Sequence, residues 1–323
     1  MNTQHFFQEI VSLENLFLAW NEFVKGKRYK KDVAEFSLGL SENIYDLYRG
    51  LKDKTYIHGG YHAFNISDPK PRNIHKATVR DRILHQAIYR VLYPYFDTKF
   101  IHDSYSCRVG KGTHKSVMRF NTFANKASSN NRKTLWILKC DVRKFFASID
   151  QKRLLQILGI YNLDKDTIWL IKKVVESFNS GQRGKGLPLG NLTSQLLVNV
   201  YMDWFDQWIK HRLKVKYYIR YADDFVVMST DRTELEKALV QIELFLKDNL
   251  LLDLHPDKVF IKTYSSGVDF LGWVNFPTRR VLRTTTKRRM IENLQDNPSV
   301  ETVQSYLGLL RHGSTYKLIS KIL

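Results

Sequence analysis

The chain has 323 residues, 43% hydrophobic and 13% aromatic, which suits a substantial folded core and excludes a disordered tail. Lysine and arginine number 51 against 32 aspartates and glutamates, a formal charge of +19, so the expected partner is a polyanion. No run approaches the roughly 20 apolar residues of a membrane span, Met1-Asn2-Thr3-Gln4-His5 lacks the layout of a secretion signal, and Cys107 and Cys140 form no Cys-x-x-Cys pair, so a membrane protein, a disulfide framework and a structural zinc site are excluded and a cytoplasmic location is expected.

Residues 5 to 60 read as helical, with Phe6, Ile10, Leu13, Leu16, Phe17 and Trp20 at helix spacing and a second stripe at Ile44, Leu47 and Leu51. Tyr61 to Asp68 reads as a short strand, and Pro69 and Pro71 then impose extended backbone up to His75. Helices are predicted over Val79 to Tyr93 and Lys115 to Ala127, with a polar, glycine-containing stretch between them. From Thr134 the order becomes strand, helix, strand, strand, helix, strand, which is the ordering of a split β-α-β sheet. Its first strand is the apolar run ending at Asp141, followed by a helical insertion over about 151–178. The next helix starts near Thr193 and sets Leu196, Leu197, Val200, Tyr201, Trp204, Phe205 and Trp208 on one face. Val215 to Arg220 and Phe225 to Ser229 are strands around the tight segment Tyr221-Ala-Asp-Asp224, and a helix with a capping signal at Asp231 or Thr233 runs to about Asn249. Strands near 259–263 and 268–275 complete the set, and the last fifty residues read as helical and basic.

Transfer of a nucleotidyl group from a triphosphate asks the protein mainly for oxygen ligands that hold two divalent ions about 3.5 to 4 Å apart. Adjacent aspartates inside a strand point to opposite faces, but in a hairpin turn both can approach one spot, as Asp223 and Asp224 can. Asp141, at the end of a neighbouring strand, supplies a third carboxylate. Such an all-oxygen set suits magnesium. The competing reading of two adjacent aspartates is an ordinary turn.

With their flanks, these segments resemble reverse transcriptases over about residues 60 to 290. Tyr221-Ala-Asp-Asp224 is similar to the family's Tyr-x-Asp-Asp metal site, and Asp141-Val-Arg-Lys-Phe-Phe-Ala-Ser-Ile-Asp150 to its first carboxylate motif. The resemblance makes Asp141, Asp223 and Asp224 the catalytic ligands of two Mg2+ ions, with Mn2+ as the alternative, and makes Phe146 the gate that excludes a ribose 2′-hydroxyl. Gly186-Leu-Pro-Leu-Gly-Asn-Leu-Thr-Ser-Gln195 resembles the nucleotide-positioning segment, with Leu189 where glutamine is usual, Gly190 at the close approach and Gln195 where proline is usual. That altered form is similar to the enzymes of diversity-generating retroelements, which implies error-prone copying at template adenines. Lys70, Arg72 and Arg80 lie in segments like those that fold over the triphosphate, and Lys258 of His255-Pro-Asp-Lys258 matches a lysine that protonates pyrophosphate. Phe270, Leu271 and Gly272 resemble the primer grip. Together with Tyr221 and the cations Arg279, Arg280, Arg283, Lys287, Arg288 and Arg289 they are expected along primer and template.

The resemblance implies an α+β right-hand polymerase fold: an N-terminal helical region and fingers over 1–133, a split β-α-β palm over 134–276 and a short helical thumb over 277–323. No ribonuclease H or endonuclease domain is expected. Implied partners are a structured template RNA, the cDNA and its RNA–DNA hybrid, dNTPs and a small basic oligomeric accessory protein, with no membrane. Rival readings are a phage-defence-associated or group II intron-like bacterial reverse transcriptase and, more distantly, a non-catalytic, maturase-like RNA-binding protein.

Overall fold

The computed structural model describes residues 5–67, 71–296, 298–320 and 322. Four helices come first: α1 (Phe7–Val11), α2 (Leu13–Phe23), α3 (Lys31–Leu38) and α4 (Leu40–Lys52). A hairpin of β1 (Tyr61–Ile66) and β2 (Arg72–Ala77) precedes α5 (Val79–Asp97) and α6 (Thr113–Ala127). Next come β3 (Trp136–Asp141), α7 (Phe145–Ser148), α8 (Gln151–Gly159), α9 (Lys165–Glu176) and α10 (Leu192–His211). The series β4 (Tyr217–Tyr221), β5 (Asp224–Ser229), α11 (Arg232–Leu250) and β6 (Phe260–Thr263) follows. The chain finishes with β7 (Val268–Phe270), β8 (Trp273–Asn275), β9 (Arg280–Leu282), α12 (Thr284–Asp296), α13 (Val300–Leu310) and α14 (Tyr316–Ile319). No helix among the described residues is long and apolar enough to cross a membrane.

The described residues divide into two compact units. One gathers residues of 1–101, 142–208 and 245–253, the other residues of 102–141, 209–244 and 254–323. In the first unit α2 lies against α5, with Leu16, Ala19, Trp20 and Phe23 on one helix and Ile83, Leu84, Ala87 and Ile88 on the other all buried. The second unit holds a four-stranded antiparallel sheet in the order β4-β5-β3-β6. With α10 and α11 as connections this is the split β-α-β order expected from the sequence. Helix α6 lies against β4 and β5, with Phe123 edge-on to Tyr217 at 5.4 Å. Burying an aromatic of this size contributes about 1.5–3 kcal/mol.

Three sequence expectations need correction. Helix α5 does not stop at Tyr93 but continues through Pro94 to Asp97. A proline inside a helix costs about 3 kcal/mol, which is offset here because the extra turn buries Phe96 edge-on to Tyr161 at 5.1 Å and lets the Tyr95 hydroxyl donate to the Tyr161 carbonyl at 2.8 Å. The extended backbone expected before His75 does form where it is described, as β2 paired with β1 and with Phe64 opposite Ile74, while Pro69 lies outside the described residues. In the basic C-terminal run, read as helical, Arg280–Leu282 is a strand paired with β8, and residues 268–275 are a hairpin rather than one strand.

Candidate active site

The register of the sheet sets the carboxylates. Asp141, the last residue of β3, is the Cα partner of Asp224, the first of β5. Tyr221 pairs with Asp224, so Ala222 and Asp223 are the two central residues of a tight hairpin turn. Ala222 has φ +56°, the left-handed geometry that such turns demand and that glycine adopts most freely. The β3 end is fixed further by the His255 N–H, which donates to the Asp141 carbonyl at 2.7 Å.

Two lysines face these acids. Lys139, two residues before Asp141 on β3, is buried and its Nζ lies 3.3 Å from Asp224 Oδ2. Lys258, half-exposed, donates from Nζ to Asp141 Oδ1 at 2.8 Å. Burial pushes the Asp224 carboxyl up to about 7, opposed by Lys139 and reinforced by the charges of Asp141 and Asp223. Asp223 is also raised, by burial first and then by Asp141. Among the described residues no three His, Cys, Asp or Glu side chains already form a metal cage. The donor set nevertheless fits a hard divalent cation, because Asp224 Oδ1 is buried without a hydrogen-bond partner. An orphaned acceptor costs about 1–3 kcal/mol, and a cation would satisfy it while relieving the repulsion among the acids.

In the other unit, Phe145 is buried and Phe146 beside it stays partly exposed, which leaves the second ring available to a ligand. The Leu187 N–H donates to the Phe146 carbonyl at 2.9 Å, tying α7 to the loop that carries Leu189. On its far side that loop is held by β2. The His75 N–H donates to the Leu189 carbonyl at 3.1 Å, and Asn191 Nδ2 donates to the His75 carbonyl at 3.0 Å. Gly190, exposed and at φ +101°, passes so near β2 that a Cβ there would stand 3.0 Å from Ile74 Cγ2. Gln195 is half-buried in the first turn of α10. Arg72 is exposed on β2, whereas Arg80 donates to the Ile57 carbonyl at 2.5 Å and lies over the Tyr56 ring. Lys70 lies outside the described residues.

Residues 66–274 match the family described as reverse transcriptase (RNA-dependent DNA polymerase). The chain belongs to the reverse-transcriptase family. Similar proteins include the group II intron-encoded protein LtrA of Lactococcus lactis subsp. cremoris, 22% identical over a match covering 86% of this chain and 56% of that protein. Protein YkfC of Escherichia coli (strain K12) is also 22% identical, over 64% of this chain and 63% of its own length. The putative COX1/OXI3 intron 2 protein of Saccharomyces cerevisiae is 20% identical over 67% of this chain and 30% of its length. The matches thus span less than two thirds of each relative.

The remaining reverse-transcriptase expectations fall into two groups. Tyr221 is half-buried and its hydroxyl accepts from Thr113 Oγ1 at 3.2 Å. Phe270 is fully buried, stacked on Phe120 at 5.4 Å, whereas Leu271 and Gly272, the β7–β8 turn at φ +53° and +86°, are half-buried. Arg279, Lys287 and Arg288 are exposed and Arg289 is half-buried. Arg280 is committed inward, with Nε donating to Asn275 Oδ1 at 2.9 Å and Nη1 to the His312 carbonyl at 3.0 Å, and Arg283 pairs with Asp269 at 2.5 Å. Sequence reasoning passed over Lys139. Its signal was a lone lysine in an apolar strand, two residues from Asp141 and therefore on the same face.

Proposed function

We propose that the chain is an RNA-directed DNA polymerase that copies a structured, element-encoded RNA into cDNA, with Asp141, Asp223 and Asp224 as its metal ligands. The observation that carries this reading is the pairing of Asp141 with Asp224 beside the Asp223 turn, with a buried carboxylate oxygen left without a partner. Two magnesium ions, when bound, would activate the primer 3′-hydroxyl and stabilise the charge developing on the triphosphate. The chain's own residues supply the rest. Lys139 and Lys258 hold the carboxylates against mutual repulsion. Lys258, at the exposed rim, has the reach to give a proton to departing pyrophosphate. Phe146 excludes the 2′-hydroxyl and selects dNTPs. Arg72 grips phosphate, since a guanidinium binds two oxygens at once.

On this reading residues 134–276, with the four-stranded sheet, Phe146 and the primer grip, form the palm, residues 1–133, with β1 and β2, form the N-terminal helical region and fingers, and residues 277–323 form a short helical thumb. Leu189 is the basis for the finer assignment to a diversity-generating element. A leucine cannot make the polar contact a glutamine makes with the nucleotide, so fidelity opposite adenine falls. A small basic accessory protein is the expected partner. The second reading, a group II intron-like enzyme, is favoured by the match to LtrA over 86% of the chain. Sequencing the cDNA made on the native flanking RNA separates the two: substitutions concentrated at template adenines support the first, and an even, low error spectrum supports the second.

A further inference from the structure

The turn that carries Asp223 is gripped from behind by Arg220. This side chain is fully buried, and its Nη1 donates to the Ala222 carbonyl at 3.0 Å while Nη2 donates to Ser104 Oγ at 3.1 Å. The backbone is tied to the same segment. The Arg220 N–H donates to the Asp103 carbonyl at 3.0 Å, and the Arg220 carbonyl accepts from the Tyr105 N–H at 2.9 Å. Asp103 is fixed in turn by Arg119, whose Nε and Nη2 donate to its two oxygens at 2.8 and 3.2 Å. Residues 103–105 therefore close the free edge of β4 immediately before the turn, and Thr113 meets the Tyr221 hydroxyl from the same stretch.

The clamp acts where the backbone is least comfortable. Ala222 sits at φ +56°, a geometry that disfavours a residue with a Cβ by roughly five- to thirtyfold. Glycine would relieve the strain but would also loosen the turn. We propose that Arg220 is a positioning residue: by clamping the Ala222 carbonyl to Ser104 it holds the strained turn, and with it the Asp223 carboxylate, in the geometry the reaction uses. This rests on the polymerase reading and gives the segment around Ser104 a role.

The test is a double-mutant cycle between Arg220→Lys and Ala222→Gly, read by denaturant unfolding and by single-dNTP incorporation on a primed RNA. Arg220→Lys is expected to lower incorporation about tenfold or more with the Kd for primed RNA unchanged. In that background Ala222→Gly recovers about fivefold more activity than it adds to the wild type, because the strain no longer needs a clamp. Unfolding shows the same non-additivity. Effects that simply add in both measurements overturn the proposal. If Arg220→Lys does not fold, Ser104→Ala removes one anchor of the clamp and must show the same rescue, milder in size; its absence overturns the proposal equally. A wild type inactive on every primed template removes the polymerase reading, while the unfolding cycle still decides whether the clamp exists.

Discussion

Lys139 and Asp224 form an ion pair of 3.3 Å between the neighbouring strands β3 and β5, with the lysine buried and the aspartate mostly so. Without the lysine, burial and the neighbouring acids hold the Asp224 carboxyl protonated at neutral pH, at a cost of about 1–3 kcal/mol for the lost partner. Lys139→Met is therefore expected to destabilise the metal-free protein by about that much. Added magnesium, able to replace the lost cation, should raise the mutant's Tm by more than it raises that of the wild type. Calorimetry with and without magnesium checks this, and equal gains would argue against a cation site at Asp224.

Acid sensitivity should arise from a buried histidine pair in the other unit. The Gly60 N–H donates to His58 Nδ1 at 3.1 Å, so the proton of His58 lies on Nε2, facing His85 Nε2 at 3.3 Å. His85 then donates from Nδ1 to Thr193 Oγ1 at 2.5 Å. Burial and the neighbouring His58 push His85 down to about 3. Above pH 6.5 the folded and unfolded chains are both neutral here; below it the unfolded chain takes a proton that the folded one refuses. Stability is thus lost as pH falls from about 6.5 toward 3, at up to about 1.4 kcal/mol per pH unit from this group. Unfolding curves across that window should be flatter for His85→Gln.

Gly190 combines positive φ with a 3.0 Å approach to Ile74. Gly190→Ala is expected to cost about 1–2 kcal/mol from backbone geometry, and to raise KM for dNTP by displacing the loop that carries Leu189. Steady-state kinetics beside thermal unfolding would show it. An unchanged KM would separate this loop from nucleotide binding.

Leu189→Gln restores the amide that the family carries at this position. Misincorporation opposite template adenine should fall, read by sequencing the products. An unchanged error spectrum would contradict the role given to Leu189.

The sheet was the most legible part of the chain. The apolar run to Asp141, the tight Tyr221–Asp224 segment and the one-sided face of α10 each carry a strong period or turn signal, and all three elements form. The pairing of β2 with β1 and the strand β9 were not legible, because the first read only as extended backbone after Pro71 and the second as part of a basic helix, and only the partner strands reveal them. The length of α5 was hidden by Pro94, since the contacts that carry the helix past it, to Tyr161, are more than sixty residues away. At the candidate site, the acids could be named from motif spacing. The two lysines that face them could not be paired with them, because that pairing depends on strand register. Arg280 shows the converse: a basic run suggests phosphate contact, yet this guanidinium is committed to Asn275 and His312.

The most direct test is magnesium-dependent dNTP incorporation on a primed RNA by the wild type and by Asp223→Asn, with RNA affinity measured in parallel. The account predicts incorporation by the wild type, a loss of at least a thousandfold in the mutant (about 4 kcal/mol of transition-state stabilisation), and RNA binding unchanged. Equal incorporation by the two proteins would contradict it.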